Sequence, residues 1–183
     1  MRYTIILLLL TGFLVSSCGW NLNAPDEENG EPDPGDETPY FEEVSSTSLP
    51  GENNLQTNAV KAVDINNDNS LDIVLAIGLQ PNKILINNSN GEFSDETSDR
   101  LVTQNLNSQD ISIADFNTDG NIDLFFPNEQ NQSSELAINN GLGTFSDLSN
   151  RIPVAGNFTS SASLDFDNDG SRDLFIGNRG QNI

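Results

Sequence analysis

The sequence predicts an all-β protein built as an incomplete β-propeller. Three observations carry that expectation. A nine-residue acidic loop occurs three times, starting at Asp64, Asp115 and Asp165, so that successive copies lie 51 and then 50 positions apart. Strand-length apolar runs stand immediately before and after each copy. Each repeat of about 50 residues has room for four such runs, and that period with four short strands is the signature of a propeller blade.

The N-terminus precedes the repeats and is of another kind. Arg2 is followed by an apolar run from Ile5 to Leu10 that continues through Phe13, Leu14 and Val15. The run is too short to cross a bilayer as a helix. A positive start, a short apolar stretch and small residues after it read as a secretory signal over residues 1–17. Val15-Ser16-Ser17-Cys18 resembles a bacterial lipobox, which implies a lipidated Cys18 as the mature N-terminus. An ordinary signal peptide with an unmodified thiol is the alternative. Cys18 is the only cysteine, so the chain holds no internal disulfide. Residues 18–39 are rich in Pro, Gly and acid and nearly free of apolar side chains. They are expected to form a disordered, self-repelling tether between anchor and folded domain.

Residues 40–183 hold the repeats. Ala59–Val63, Ile111–Ala114 and Ala162–Leu164 precede the three loops, and Ile73–Ile77, Leu124–Phe126 and Leu174–Ile176 follow them. Lys83–Ile86 and Glu135–Ile138 come next, then segments around Phe93 and Phe145. These runs are β-branched, aromatic or Leu-rich and are bounded by Gly, Asn, Asp and Pro, as strands are. Phe116, Phe125, Phe126, Phe145, Phe166 and Phe175 recur with the repeat and are expected in the core. Phe41–Val44 reads as the outer strand of a preceding blade. The third repeat has its loop and the strand after it when the sequence reaches Ile183, so the expectation is an N-terminal fragment of a larger propeller. The competing expectation is a short chain that pairs its open edges with another chain.

The loops carry the chemistry. Oxygen side chains fall at positions 1, 3, 5 and 9: Asp64, Asn66, Asp68 and Asp72; Asp115, Asn117, Asp119 and Asp123; Asp165, Asp167, Asp169 and Asp173. A hard cation such as Ca²⁺ takes several oxygens from carboxylates, amides and carbonyls, so the spacing points to up to three calcium sites. An EF-hand would need a bidentate Glu at position 12. Leu75, Phe126 and Ile176 stand there and belong to strands, which excludes a helix–loop–helix. The third loop has four carboxylates and Gly170, and is expected to bind most tightly. The first has Asn69 where the others have Gly120 and Gly170.

Composition narrows the function. The formal charge is −21, and removing residues 1–17 takes away Arg2 alone, leaving −22. Phosphate binding needs clustered Lys and Arg, so nucleic acid is not an expected partner. With no histidine in the chain, Ser-His-Asp and Cys-His catalysis and His-based zinc sites are excluded. Glu92, Asp95, Glu96, Asp99, Asp110, Glu129 and Glu135 are acids outside the loops, and the plain reading makes them solvated turn residues.

The blocks Asp115–Phe126 and Ile138–Ser149 resemble the FG-GAP/VCBS repeat family, which shares its blades with the integrin α-subunit propeller; the cartilage-acidic-protein-like group is the most similar in flavour. The resemblance covers about residues 40–183. It implies a calcium-stabilised propeller, secreted or on a cell surface, and adds the backbone carbonyls of Ser70, Asn121 and Ser171 to the ligand sets. The expected function is that of a non-catalytic binding or adhesion module for a protein or glycan. It would be held in a bacterial cell envelope, at the outer membrane or cell surface, by lipid on Cys18. The alternative is a fragment of a carbohydrate-active propeller enzyme or its accessory module, which would need two carboxylates at glycosidase spacing.

Overall fold

Runs of this length and composition form strands rather than helices, because β-branched and aromatic side chains pack well on a pleated surface. A computed structural model describes residues 50, 55–102, 104–152 and 155–180, together with the backbone of 3–5 and 41–43. Two short strands, β1 (Tyr3–Ile5) and β2 (Phe41–Glu43), pair in parallel with Tyr3 opposite Phe41. The strand expected at Phe41 is therefore present over Phe41–Glu43. Its partner is β1 rather than a blade strand, and each of the two satisfies backbone groups of the other.

Blade 1 is an antiparallel meander of β3 (Thr57–Val63), β4 (Asp72–Ile77), β5 (Lys83–Asn87) and β6 (Phe93–Asp95), paired in sequence order. A single helical turn, α1 (Thr97–Arg100), follows it. Blade 2 repeats the plan with β7 (Ser112–Ala114), β8 (Asp123–Phe126), β10 (Glu135–Asn139) and β11 (Phe145–Asp147). Between β8 and β10 lies β9 (Gln132–Ser133), which pairs with β12 (Ala155–Gly156) beyond the blade. The third unit is the hairpin of β13 (Phe158–Leu164) and β14 (Asp173–Asn178). The four-stranded blades match the strand runs read from the sequence, and β9 with β12 is the pair that those runs did not announce.

Side chains alternate across each strand, so every blade has two apolar faces. Val74, Ala76, Ile84 and Ile86 of blade 1 pack against Leu124, Phe126, Ala137 and Phe145 of blade 2, with Ile65, Leu101 and Ile111 between them. Ile73, Leu75, Ile77 and Leu85 form a second cluster on the opposite face of blade 1. Phe125 alternates with Leu124 and Phe126 and is fully buried on the other face of blade 2. Burying such a ring contributes on the order of 2–3 kcal/mol.

Three of the aromatics expected in the core are not buried in it: Phe116 is half-buried, and Phe166 and Phe175 lie open. Phe166 and Phe175 are 69% and 47% exposed and meet edge to face with ring centroids 5.7 Å apart. The reason is positional. Phe175 occupies the place of Val74 and Phe125, on the face each blade turns toward its successor. In the hairpin β13–β14 that face is open.

Candidate metal centre

Each acidic loop closes the hairpin between the first two strands of its unit: 64–72 between β3 and β4, 115–123 between β7 and β8, 165–173 between β13 and β14. The three loops fold alike because the same side chains cap the same amides. The first Asp accepts two amides. Asp64 takes those of Asp68 (3.2 Å) and Asn69 (2.8 Å), Asp115 those of Asp119 (3.1 Å) and Gly120 (2.8 Å), and Asp165 those of Asp169 and Gly170 (both 3.1 Å). The third residue accepts the fifth amide: Asn66 at 3.1 Å, Asn117 at 3.0 Å and Asp167 at 3.2 Å. The fifth accepts the seventh: Asp68 from Ser70 at 2.7 Å, Asp119 from Asn121 at 2.8 Å and Asp169 from Ser171 at 2.7 Å. Ser/Asp/Asn side chains compete for backbone amides in this way wherever a turn replaces regular pairing.

Two residues in each loop adopt the left-handed conformation. Position 4 is Asn67, Thr118 or Asn168, with φ of 61°, 62° and 59°. Position 6 is Asn69, Gly120 or Gly170, with φ of 66°, 89° and 90°. Asn69 thus takes the backbone region that glycine takes in the other two loops, as Asn does more readily than most residues.

Position 9 anchors the loop to the blade. Asp72 and Asp123 are fully buried. Asp72 Oδ2 accepts the Ile65 amide at 3.1 Å and Oδ1 that of Asn87 at 2.9 Å. Asp123 accepts from Phe116 at 2.9 Å and from Asn139 at 2.8 Å. Asp173 accepts from Phe166 at 2.8 Å. Burial raises the pKa of Asp72 and Asp123 above the ordinary value, outweighing these amides, and the neighbouring loop carboxylates push the same way. Position 5 is the opposite case. The amides of Ser70 and Asn121, then the side chains of Asn66 and Asn117, lower Asp68 and Asp119.

The loops differ at position 3. Asn66 and Asn117 turn an amide group to the fifth Asp, Nδ2 to Oδ2, at 2.9 and 2.8 Å. Loop 3 has a carboxylate in that place, and oxygens of Asp165, Asp167 and Asp173 lie within 4.8 Å of one another. Charges this close repel one another, and a cation between them would offset that repulsion. The side-chain donors are oxygens only, from carboxylates and amides, which is the set a hard divalent cation takes. The residues present fit calcium.

The structure thus brings oxygens of Asp165, Asp167 and Asp173 together in loop 3, while in loops 1 and 2 the side chains at positions 1, 3, 5 and 9 are placed by the amides they accept. Ser70, Asn121 and Ser171 sit at position 7, their amides bound to position 5. Cys18 and the lipobox lie outside the described residues, as do the tether and residues 181–183. The acids outside the loops are not uniformly solvated. Asp95 pairs with Lys83 at 2.6 Å, Glu96 with Arg100 at 2.8 Å and Glu129 with Arg179 at 3.1 Å. Asp110 accepts the Ser161 amide at 2.9 Å. Glu135 is buried and accepts from Asn82 Nδ2 at 3.1 Å, because β10 turns it between the blades. Sequence reasoning also missed Asn139, whose part in the loops shows only once the blades are side by side. No helix of the described residues is long and apolar enough to cross a membrane.

Comparison with known proteins agrees with this architecture. No curated protein matches the chain. The family model for the FG-GAP-like repeat matches twice, over residues 64–126 and 115–176. Each match runs from one acidic loop through the next to the strand that follows it, and together they span 64–176. The chain belongs to the FG-GAP-like repeat family.

Proposed function

We propose that this protein is a calcium-binding repeat protein that serves, outside the cytoplasm, as a non-catalytic binding or adhesion module for a protein or glycan. The observation that carries this reading is the threefold recurrence of one hydrogen-bonded oxygen loop at the same place in each unit. Asp64, Asn66, Asp68 and Asp72 would hold the first ion, Asp115, Asn117, Asp119 and Asp123 the second, and Asp165, Asp167, Asp169 and Asp173 the third, with the carbonyls of Ser70, Asn121 and Ser171. The ion supplies positive charge where carboxylates converge and locks the hairpin shut. The chain is charged at −21, and three Ca²⁺ offset six of those charges. FG-GAP repeats suit an extracellular or surface setting, and lipid on Cys18 would hold the domain there.

Thermal unfolding of the full chain in Ca²⁺ and in chelator tests the calcium reading, with calorimetric titration beside it. The expected result is a higher midpoint in Ca²⁺ and measurable binding. Mg²⁺ should substitute poorly, since it demands near-octahedral geometry and keeps its waters. An unchanged midpoint with no heat of binding would overturn the assignment.

A further inference from the structure

We propose that the cation loops of blades 1 and 2 are coupled through Asn139, so that an ion in either tightens the other. The inference rests on the calcium reading and adds a positioning residue to it. Asn139 ends β10 and is 2% exposed. Its backbone amide donates to Asp123 Oδ1 at 2.8 Å. Its side-chain Nδ2 donates to two carbonyls, Ile122 of loop 2 at 3.0 Å and Ile65 of loop 1 at 2.8 Å. Its Oδ1 accepts the amides of Gly141 at 2.9 Å and Gly143 at 3.1 Å. Both amide hydrogens and both acceptor positions of the side chain are thereby used.

A relay of three hydrogen bonds follows. Asp123 Oδ1 accepts from Asn139 N, Asn139 Nδ2 donates to Ile65 O, and Ile65 N donates to Asp72 Oδ2 at 3.1 Å. All three bonds are buried, where hydrogen bonds are stronger and a broken one is costly. The relay joins the ninth-position carboxylate of one loop to that of the other.

The turn that Asn139 anchors is wedged between the two loops. Asn67 Nδ2 of loop 1 donates to Gly141 O at 3.0 Å, and Arg100 Nη1 to Leu142 O at 2.7 Å. A Cβ on Gly143 would lie 3.2 Å from Asn66 Cβ, and one on Gly141 would lie 2.9 Å from Asn121 Oδ1. Movement of either loop on losing its ion is therefore felt by the other. Outer partners that orient ligands tune metal affinity in this manner, and coupling between two binding sites is reciprocal.

Asn87 is the counterpart in blade 1. It repeats the amide bond to Asp72 at 2.9 Å and the side-chain bond to the Leu71 carbonyl at 3.1 Å. The bond from Asn139 to Ile65 is what reaches across blades.

The test is a calorimetric Ca²⁺ titration of the full chain with loop 3 silenced by Asp169→Ala in every arm. Loop 1 is read alone with Asp119→Ala, loop 2 alone with Asp68→Ala, and then both together. The expected result is that the two-loop chain binds more tightly than the product of the single-loop affinities, by about fivefold or more. Asn139→Ala should reduce that factor to about one. Amide exchange at Ile65 in chelator, faster in Asn139→Ala, would register the lost bond without metal. If Asn139→Ala does not fold, Asn67→Gly cuts the turn from loop 1 at an exposed residue and should reduce the factor in its place. Independent binding by the two loops, or a factor unchanged by Asn139→Ala or by its Asn67→Gly substitute, overturns the coupling while leaving the calcium reading standing. No Ca²⁺ binding by the unsubstituted chain overturns both.

Discussion

Glu135 shows what one buried carboxyl costs. Burial pushes its pKa up to about 7, against the Asn82 amide group that favours the charged form, and Asp147 adds repulsion. The folded chain therefore holds a proton that an unfolded Glu, ionising near 4.3, gives up. No penalty exists below that lower value. It grows as pH rises toward 7 and is complete above it, reaching about 3–4 kcal/mol. Glu135→Gln keeps an oxygen for Asn82 and removes the ionisation. Urea unfolding in chelator across pH should find this variant more stable than the parent by about 1–3 kcal/mol above pH 7. The two should converge near pH 4. Parallel profiles would show that the carboxyl is not buried as described.

At the scale of the hairpin element, the ninth-position Asp has two separable tasks, bracing the loop and binding the ion. Asp123 is buried and accepts the Phe116 and Asn139 amides, so Asp123→Ala leaves two donors without partners. In chelator that should cost about 2–6 kcal/mol, from roughly 1–3 for each buried unsatisfied group. Asp173 braces Phe166 and is partly exposed, so Asp173→Ala should cost less, about 1 kcal/mol. In Ca²⁺ titrations the order reverses. Loop 3 offers four carboxylates, more ligand charge means tighter binding, and Asp173→Ala should remove the tightest site. Denaturation in chelator and calorimetry in Ca²⁺ give the two rankings, and identical orders would merge the two tasks into one.

For the molecule as a whole, stability and placement come from different segments. Blade 1 and blade 2 bury a shared core, while Phe166 and Phe175 leave the corresponding face of the third unit apolar and open. Edges and faces of this kind favour association. The segment that would place the protein is the N-terminus. Expression of the full chain in a bacterium, followed by mass spectrometry, should find Cys18 as the mature, lipid-bearing N-terminus. Cys18→Ala should release the protein from the membrane fraction. Cleavage elsewhere with an unmodified Cys18 would remove the anchor from the proposal.

The sequence by itself determined the repeat, the strand runs and the folding of the acidic loops. These depend on short-range physics: alternation along a strand, and Asp or Asn side chains capping amides two to seven residues away. Asp64 meets Asn69 five positions on, and Asp72 meets Ile65 seven positions back; spacing marked these residues as one loop, and the structure added the amides they accept. Tertiary structure decided the rest. Asn139 meets Ile65 across 74 positions, and Glu135 meets Asn82 across 53; no local pattern encodes either contact. Glu135 follows Ser133 and Ser134 in a polar stretch and reads as a turn residue until β10 turns it inward. Phe175 has the apolar setting of Phe125 in sequence, yet only Phe125 is covered, because burial depends on what packs against a face and not on the residue that presents it.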